Sequence, residues 1–196
     1  ECTPMLEEER AITKAEARAF RAFFYLNLVK LFGPVPLMGD RVSQNDDPIS
    51  LYQVERNTID ECFDYIISEF KAVLDQNILM SSFGKDGSYD DKCMGSFTQE
   101  VVEMLLCDAY LFRASYLYNG DQFYVGLAKE DGTKLFPTER DESKWRDLKT
   151  QAWKIIDSGK YSLVLRDVQD HMVTDFAQAC PFKSVFYASF GTSTNE

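Results

Sequence analysis

The chain has 196 residues with a net charge of −11, 45% hydrophobic and 27% charged residues. That size fits one domain or part of a larger one, and 15 Phe, 10 Tyr and 2 Trp supply enough ring surface to exclude a disordered chain. The negative balance, with no Lys/Arg cluster, argues against a nucleic-acid partner or an anionic membrane surface.

The first predicted helix opens at Thr3-Pro4, with Thr3 as N-cap and Pro4 at the first helical position, and runs to Phe32, where Gly33-Pro34 stops it. It carries two apolar stripes: small Ala11, Ala15, Ala19 and Ala22, and bulky Phe20, Phe24, Leu28 and Leu31. Two stripes predict a helix packed on two sides. The second helix begins at the capping box Thr58-Ile-Asp-Glu61 and continues with Ile59, Phe63, Ile66, Ile67, Phe70 and Leu74 along one face.

The third helix starts near Thr98, with Phe97 placed to staple onto Val102, and its stripe is Val101, Val102, Leu105, Leu106, Ala109 and Phe112. The fourth spans about 141–158 and is lined by Trp145, Leu148, Ala152, Ile155 and Ile156, with Trp145 expected in the core and Gly159 as the stop. Long polar connections separate the helices at 39–50, 81–95 and 119–139, well beyond the usual ~2–8 residues of a helical bundle. After Tyr161 the helical pattern fades, and 161–165 and 184–188 read as short extended segments. The pairing of helices suggests two hairpins of a loop-decorated repeat, far longer than the ~34-residue tetratricopeptide period.

Chemistry-bearing residues are sparse. His171 is the only histidine, no Gly-rich phosphate loop or G-x-S-x-G appears, and Glu100 and Glu103 lack a following Glu-x-x-His, so neither a di-iron bundle nor a nucleophile elbow is written here. Asp86, Asp90 and Asp91 share a Gly-containing loop, but their spacing is not that of an EF-hand and fits a solvated acidic loop better. Five cysteines, Cys2, Cys62, Cys93, Cys107 and Cys180, show no C-x-x-C spacing; Cys62 and Cys107 sit among apolar residues and read as buried thiols. These residues give little support to catalysis or to a cofactor.

Residues 16–37, reading Glu-Ala-Arg18-Ala-Phe-Arg21-Ala22 and closing on Leu31-Phe-Gly33-Pro-Val35-Pro36-Leu37, resemble the hallmark stretch of the SusD/RagB family. Three weaker matches follow in the family's order: Arg56-Asn-Thr58 with 66–70, Gly95-Ser-Phe-Thr98 with 110–117, and Trp145 with Ile155-Ile-Asp-Ser-Gly-Lys-Tyr-Ser-Leu163. The third helix departs from the pattern, being poorer in alanine.

The resemblance implies an all-α, tetratricopeptide-like superhelical scaffold over 3–163, with 164–196 beginning a less regular C-terminal region. It also implies an internal fragment of a cell-surface outer-membrane lipoprotein that binds oligosaccharide or polysaccharide for a SusC-like TonB-dependent transporter, the helical face helping to dock that transporter. The alternative is a helical-repeat adaptor that binds peptides or proteins. Sugars are held by aromatic faces and polar groups, and the loop aromatics Phe83, Tyr89, Phe123, Tyr124 and Phe136 are the candidate contacts.

Overall fold

The computed structural model describes residues 6–40, 48–49, 53–83, 90, 93, 95–161, 165–166 and 172–173. The described residues contain four α-helices: α1 (Glu7–Phe32), α2 (Ile59–Gln76), α3 (Gln99–Ala114) and α4 (Ser143–Asp157). The expected start of α1 at Thr3-Pro4 lies outside the described residues. At Glu7 the helix opens on three glutamates in its first turn, which suit the positive end of the helix dipole, and Glu9 accepts a hydrogen bond from the Leu6 amide. No helix among the described residues is long and apolar enough to cross a membrane.

Each helix packs on the next in chain order. Cross-helix pairs fix the directions. Arg18 and Arg21 reach Glu69 while Val35, beyond the end of α1, meets Cys62 near the start of α2, so α1 and α2 run antiparallel. Arg113 pairs with Asp64, and α3 then meets α4 through Arg113–Asp147 and Lys154–Glu103, again antiparallel.

The core lies between α1, α2 and α3. Ala15, Ala19 and Ala22 are buried with Leu26 and Val29, so the small stripe lets the α2 backbone approach closely. Ile59, Phe63, Ile66, Ile67 and Phe70 fill the other side, as their spacing predicts. The bulky α1 stripe does not behave as expected: Phe20, Phe24, Leu28 and Leu31 are all exposed. Among the described residues Phe20 and Phe23 reach the ring of Phe97 at 4.0 and 6.1 Å, and Phe24 meets the rings of Phe20 and Phe23 on its own helix. The two-sided packing read from the sequence is thus one-sided within the described residues.

Both predicted caps form. The Glu61 amide donates to the Thr58 hydroxyl at 3.2 Å and the Thr58 amide donates to the Glu61 carboxylate at 2.7 Å. At α3 the Val101 amide donates to the Thr98 hydroxyl. Val101, placed on the buried stripe of α3 from its spacing, is exposed.

Helix α4 corrects a second expectation. Trp145 is 38% exposed and Ile156 is also exposed, because the inward position is held by Lys144, whose ammonium donates to Asp60 at 2.5 Å. With Lys144 turned inward, Trp145 lies about 100° further round the helix and points out. Cys62 is buried and donates to the Val35 carbonyl, whereas Cys107, expected to be buried, is only half-buried.

The chain divides into two units, residues 1–157 and 158–196. In the second, Leu165–Arg166 and Met172–Val173 form an antiparallel two-stranded ribbon, β1 and β2. The expected extended segment at 184–188 lies outside the described residues, as do His171, Asp86 and Asp91.

Candidate functional site

The connection from α3 to α4 runs over residues 115–142, and its long polar stretch from Asn119 to Glu139 is ordered by its own chemistry. Asn119 is buried, and its side chain holds the loop's two ends together: the amide donates to the Asp141 carbonyl at 2.9 Å and the side-chain oxygen accepts from the Asp141 amide at 2.9 Å. Gly120 adopts φ +87°, and a Cβ there would come within 2.7 Å of the Arg140 amide nitrogen, so only glycine lets the strands of the loop close this tightly. Further along, the Leu135 amide donates to Leu127, and the Leu135 carbonyl accepts the Ile59 amide at 2.9 Å, docking the loop on the start of α2.

On this frame the aromatic residues form a ladder from the surface inward. Phe123 is 81% exposed, fixed by its amide donating to Asp121 at 3.0 Å. Its ring meets Tyr124 edge-on at 4.9 Å, and Tyr124 stacks on Phe136 at 5.0 Å. Phe136 stacks on Tyr118 at 6.4 Å, and Tyr118 meets Phe63 edge-on at 5.3 Å in the core. Three of the five sequence-predicted residues are therefore brought together, with graded access: Phe123 is open, Tyr124 half-buried, and Phe136 buried at 6% exposure. Phe83 stands on a different connection, half-buried beside the start of α3, where the neighbouring Ser82 hydroxyl bonds Thr98 at 2.6 Å. Tyr89 lies outside the described residues.

Next to the ladder is a shallow hollow of about 270 Å³, lined by Thr58, Asp60, Lys134, Phe136 and Thr138 among others. It combines an aromatic wall with hydroxyl and charged groups, the mixture that orients a polar ligand with apolar faces.

The hallmark arginines have a different task. Arg18 donates both Nε and Nη2 to Glu69 at 2.9 and 2.7 Å, and Arg21 Nη2 donates to the same carboxylate at 2.7 Å. Arg21 also pairs with Asp40. Glu69 is buried, and hydrogen bonding from Arg18 holds its carboxyl below the usual range despite burial. This clamp bolts α1 to α2. Sequence reasoning missed Glu69, although a carboxylate set among Ile66, Ile67, Phe70 and Val73 on a buried face is itself a sign of a paired charge.

The exit of α1 is organised in the same way. Gly33 takes φ +71°, the Leu37 amide donates to the Asn57 side chain, and the Met38 amide donates to the Tyr25 hydroxyl, both at 2.9 Å. The motif around Gly33 and Leu37 thus straps α1 across the start of α2. Among the described residues no group of three or more His, Cys, Asp or Glu is placed to hold a metal ion.

Residues 3–83 match the SusD-like family model described as starch-binding and associating with the outer membrane. No curated protein matches the sequence. Among solved structures, the one named BT4246 superposes with a TM-score of 0.67 at 22% identity, over 82% of this chain and 27% of its own. A SusD homolog from Bacteroides thetaiotaomicron VPI-5482 gives 0.56 at 27% identity, over 82% of this chain and 25% of its own. Surface glycan-binding protein A from Bacteroides uniformis gives 0.53 at 22%, over 81% and 27%. The chain thus spans about a quarter of the length of the structures it matches. The all-α, tetratricopeptide-like scaffold expected from the sequence is the fold these structures share.

Proposed function

Because this chain is SusD-like, in its leading sequence and in its helical fold, we propose that it is part of a cell-surface glycan-binding protein that hands oligosaccharides to a SusC-like TonB-dependent transporter. The observation that carries the reading is the family match over residues 3–83, which contains the clamp arginines and the α1 exit strap. The family description places starch binding at the outer membrane, and one structural neighbour is named a surface glycan-binding protein. In the same reading the protein is a lipid-anchored outer-membrane component that binds and presents sugars without a chemical step.

The ladder on the 119–139 loop is the part of this chain best built for sugar. An exposed, backbone-fixed Phe123 offers a flat apolar face for the C–H side of a pyranose, and the Tyr124 ring behind it keeps that face in place. Phe136 supports Tyr124 from below and lines the adjoining hollow.

The test is affinity electrophoresis of the natural full-length protein in gels containing starch, xyloglucan or laminarin, with Phe123→Ala beside it. Retardation by one glycan, weakened about fivefold in the variant, is the expected result for a stacking ring of roughly 1 kcal/mol. Retardation equal in both keeps glycan capture and moves the site off this loop. No retardation in any glycan, with capture of peptides, overturns the sugar reading in favour of a peptide-binding adaptor.

A further inference from the structure

Helix α4 presents an outward strip that the sugar reading does not use: Trp145, Arg146, Lys149, Trp153 and Ile156. At 100° per residue these five fall within about one third of the helix circumference. All five are exposed, Trp153 at 57%. The two indoles are eight residues apart, which sets them about 12 Å apart along the axis.

The charges on this strip are of one sign. In a chain of net charge −11, it carries two cations and no carboxylate. Of the other charged residues of α4, three are engaged with neighbouring helices, Lys144 with Asp60, Asp147 with Arg113 and Lys154 with Glu103, and the fourth, Asp157, is the last residue of the helix and lies about 120° round from Trp145, just off the strip. Among the described residues Arg146 and Lys149 have no carboxylate partner. Acids beyond about 8 Å are screened at physiological salt, and of the two that flank the strip Glu142 is paired with Arg140 and Asp157 stands at its far end, so the charges between the two indoles are Arg146 and Lys149.

We propose that this strip is a second glycan-contacting surface, selective for anionic polysaccharide. The indoles stack on the C–H faces of two sugar units, and Arg146 and Lys149 pair with the carboxylate or sulfate groups between them. Indoles alone would take a neutral chain equally well; the two cations, without a carboxylate partner among the described residues, select the acidic one. The proposal rests on the glycan-binding reading above and narrows it to a class of sugar.

The experiment uses the natural full-length protein in gels containing polygalacturonate, dextran sulfate or neutral xyloglucan. The variants are Trp153→Ala and the double Arg146→Gln/Lys149→Gln, both at exposed positions, with thermal unfolding confirming their fold. The expected result is retardation by a polyanion, reduced about tenfold in each variant and diminished by added salt, while any neutral-glycan binding survives the double variant.

Polygalacturonate alone or dextran sulfate alone identifies carboxylate or sulfate as the group read. Binding of neutral glycan without any polyanion overturns this inference and leaves the glycan reading standing. Failure of every glycan overturns both. If acrylamide fails to quench the indoles, and Trp153→Ala lowers the melting temperature or splits a dimer without polyanion retardation, the strip is covered by polypeptide and the proposal falls.

Discussion

Glu69 shows how one side chain can join two helices. Removing the charge leaves two guanidinium groups side by side on one face of α1, partly screened by solvent since each arginine is about a third exposed. Glu69→Gln is expected to destabilise by about 2–4 kcal/mol, below the full figure for a wholly buried pair, read by urea unfolding. The pH dependence follows from the sign. The folded carboxyl ionises more easily than the unfolded one, so its contribution is complete above the ordinary value of 4.5 and is lost as pH falls through the lower folded value. The wild-type protein should therefore lose stability below about pH 4.5 more steeply than Glu69→Gln, whose curve flattens at this position.

Gly120 makes a second residue-scale case. Gly120→Ala forces an L-residue to φ +87° and drives its Cβ into the Arg140 backbone, which cannot swing aside as a flexible side chain would. A loss of about 2–3 kcal/mol is expected by thermal or urea unfolding, with Phe123 losing its fixed position. At this scale the sequence was only half legible. Arg18 and Arg21 stand out in the motif, but nothing local names Glu69 as their partner, because the contact spans 51 residues of chain. Trp145 failed for the opposite reason: a tryptophan looks like core until Lys144, one position earlier, is seen to take the inward place by pairing with Asp60.

At the scale of the element, the reading rests on caps and on residue size. Thr58→Ala removes one half of the capping box at α2 and is expected to cost about 1 kcal/mol. The α1–α2 seam depends on small side chains instead: Ala19 has no exposed surface, and Ala19→Leu is expected to cost about 1–3 kcal/mol as α1 is pushed off α2, a loss visible in the urea midpoint. The starts of helices two and three were legible to within a residue or so because they are written in the chain as the Thr58 and Thr98 hydroxyls. The order of the 119–139 connection was not, because it comes from the two Asn119 bonds to Asp141 and a backbone bond to α2, which have no local signature.

Over the whole molecule, the feature least expected from the sequence is the outward face of α1, where Phe24, Leu28, Leu31 and Phe32 stand together unburied in the described residues. A contiguous apolar patch of this kind favours association or coverage by further polypeptide. The chain alone is therefore expected to bind a hydrophobic dye and to self-associate in size-exclusion chromatography, and Phe24→Ser/Leu31→Ser to reduce both without lowering its melting temperature.

The succession of helices, each laid back against its predecessor, has a kinetic corollary. Helices that pack together are mostly neighbours in chain order, an arrangement that favours rapid folding. Each hairpin can close as soon as its second helix is complete, without waiting for distant chain. The Arg18–Glu69 clamp then forms with the first hairpin, and the ring ladder from Phe63 to Phe123 only after the third helix and its connection have arrived. The scaffold would thus be in place before the surface it displays, an order that stopped-flow fluorescence would resolve as a fast helical phase followed by a slower one in which Tyr118 and Tyr124 become buried.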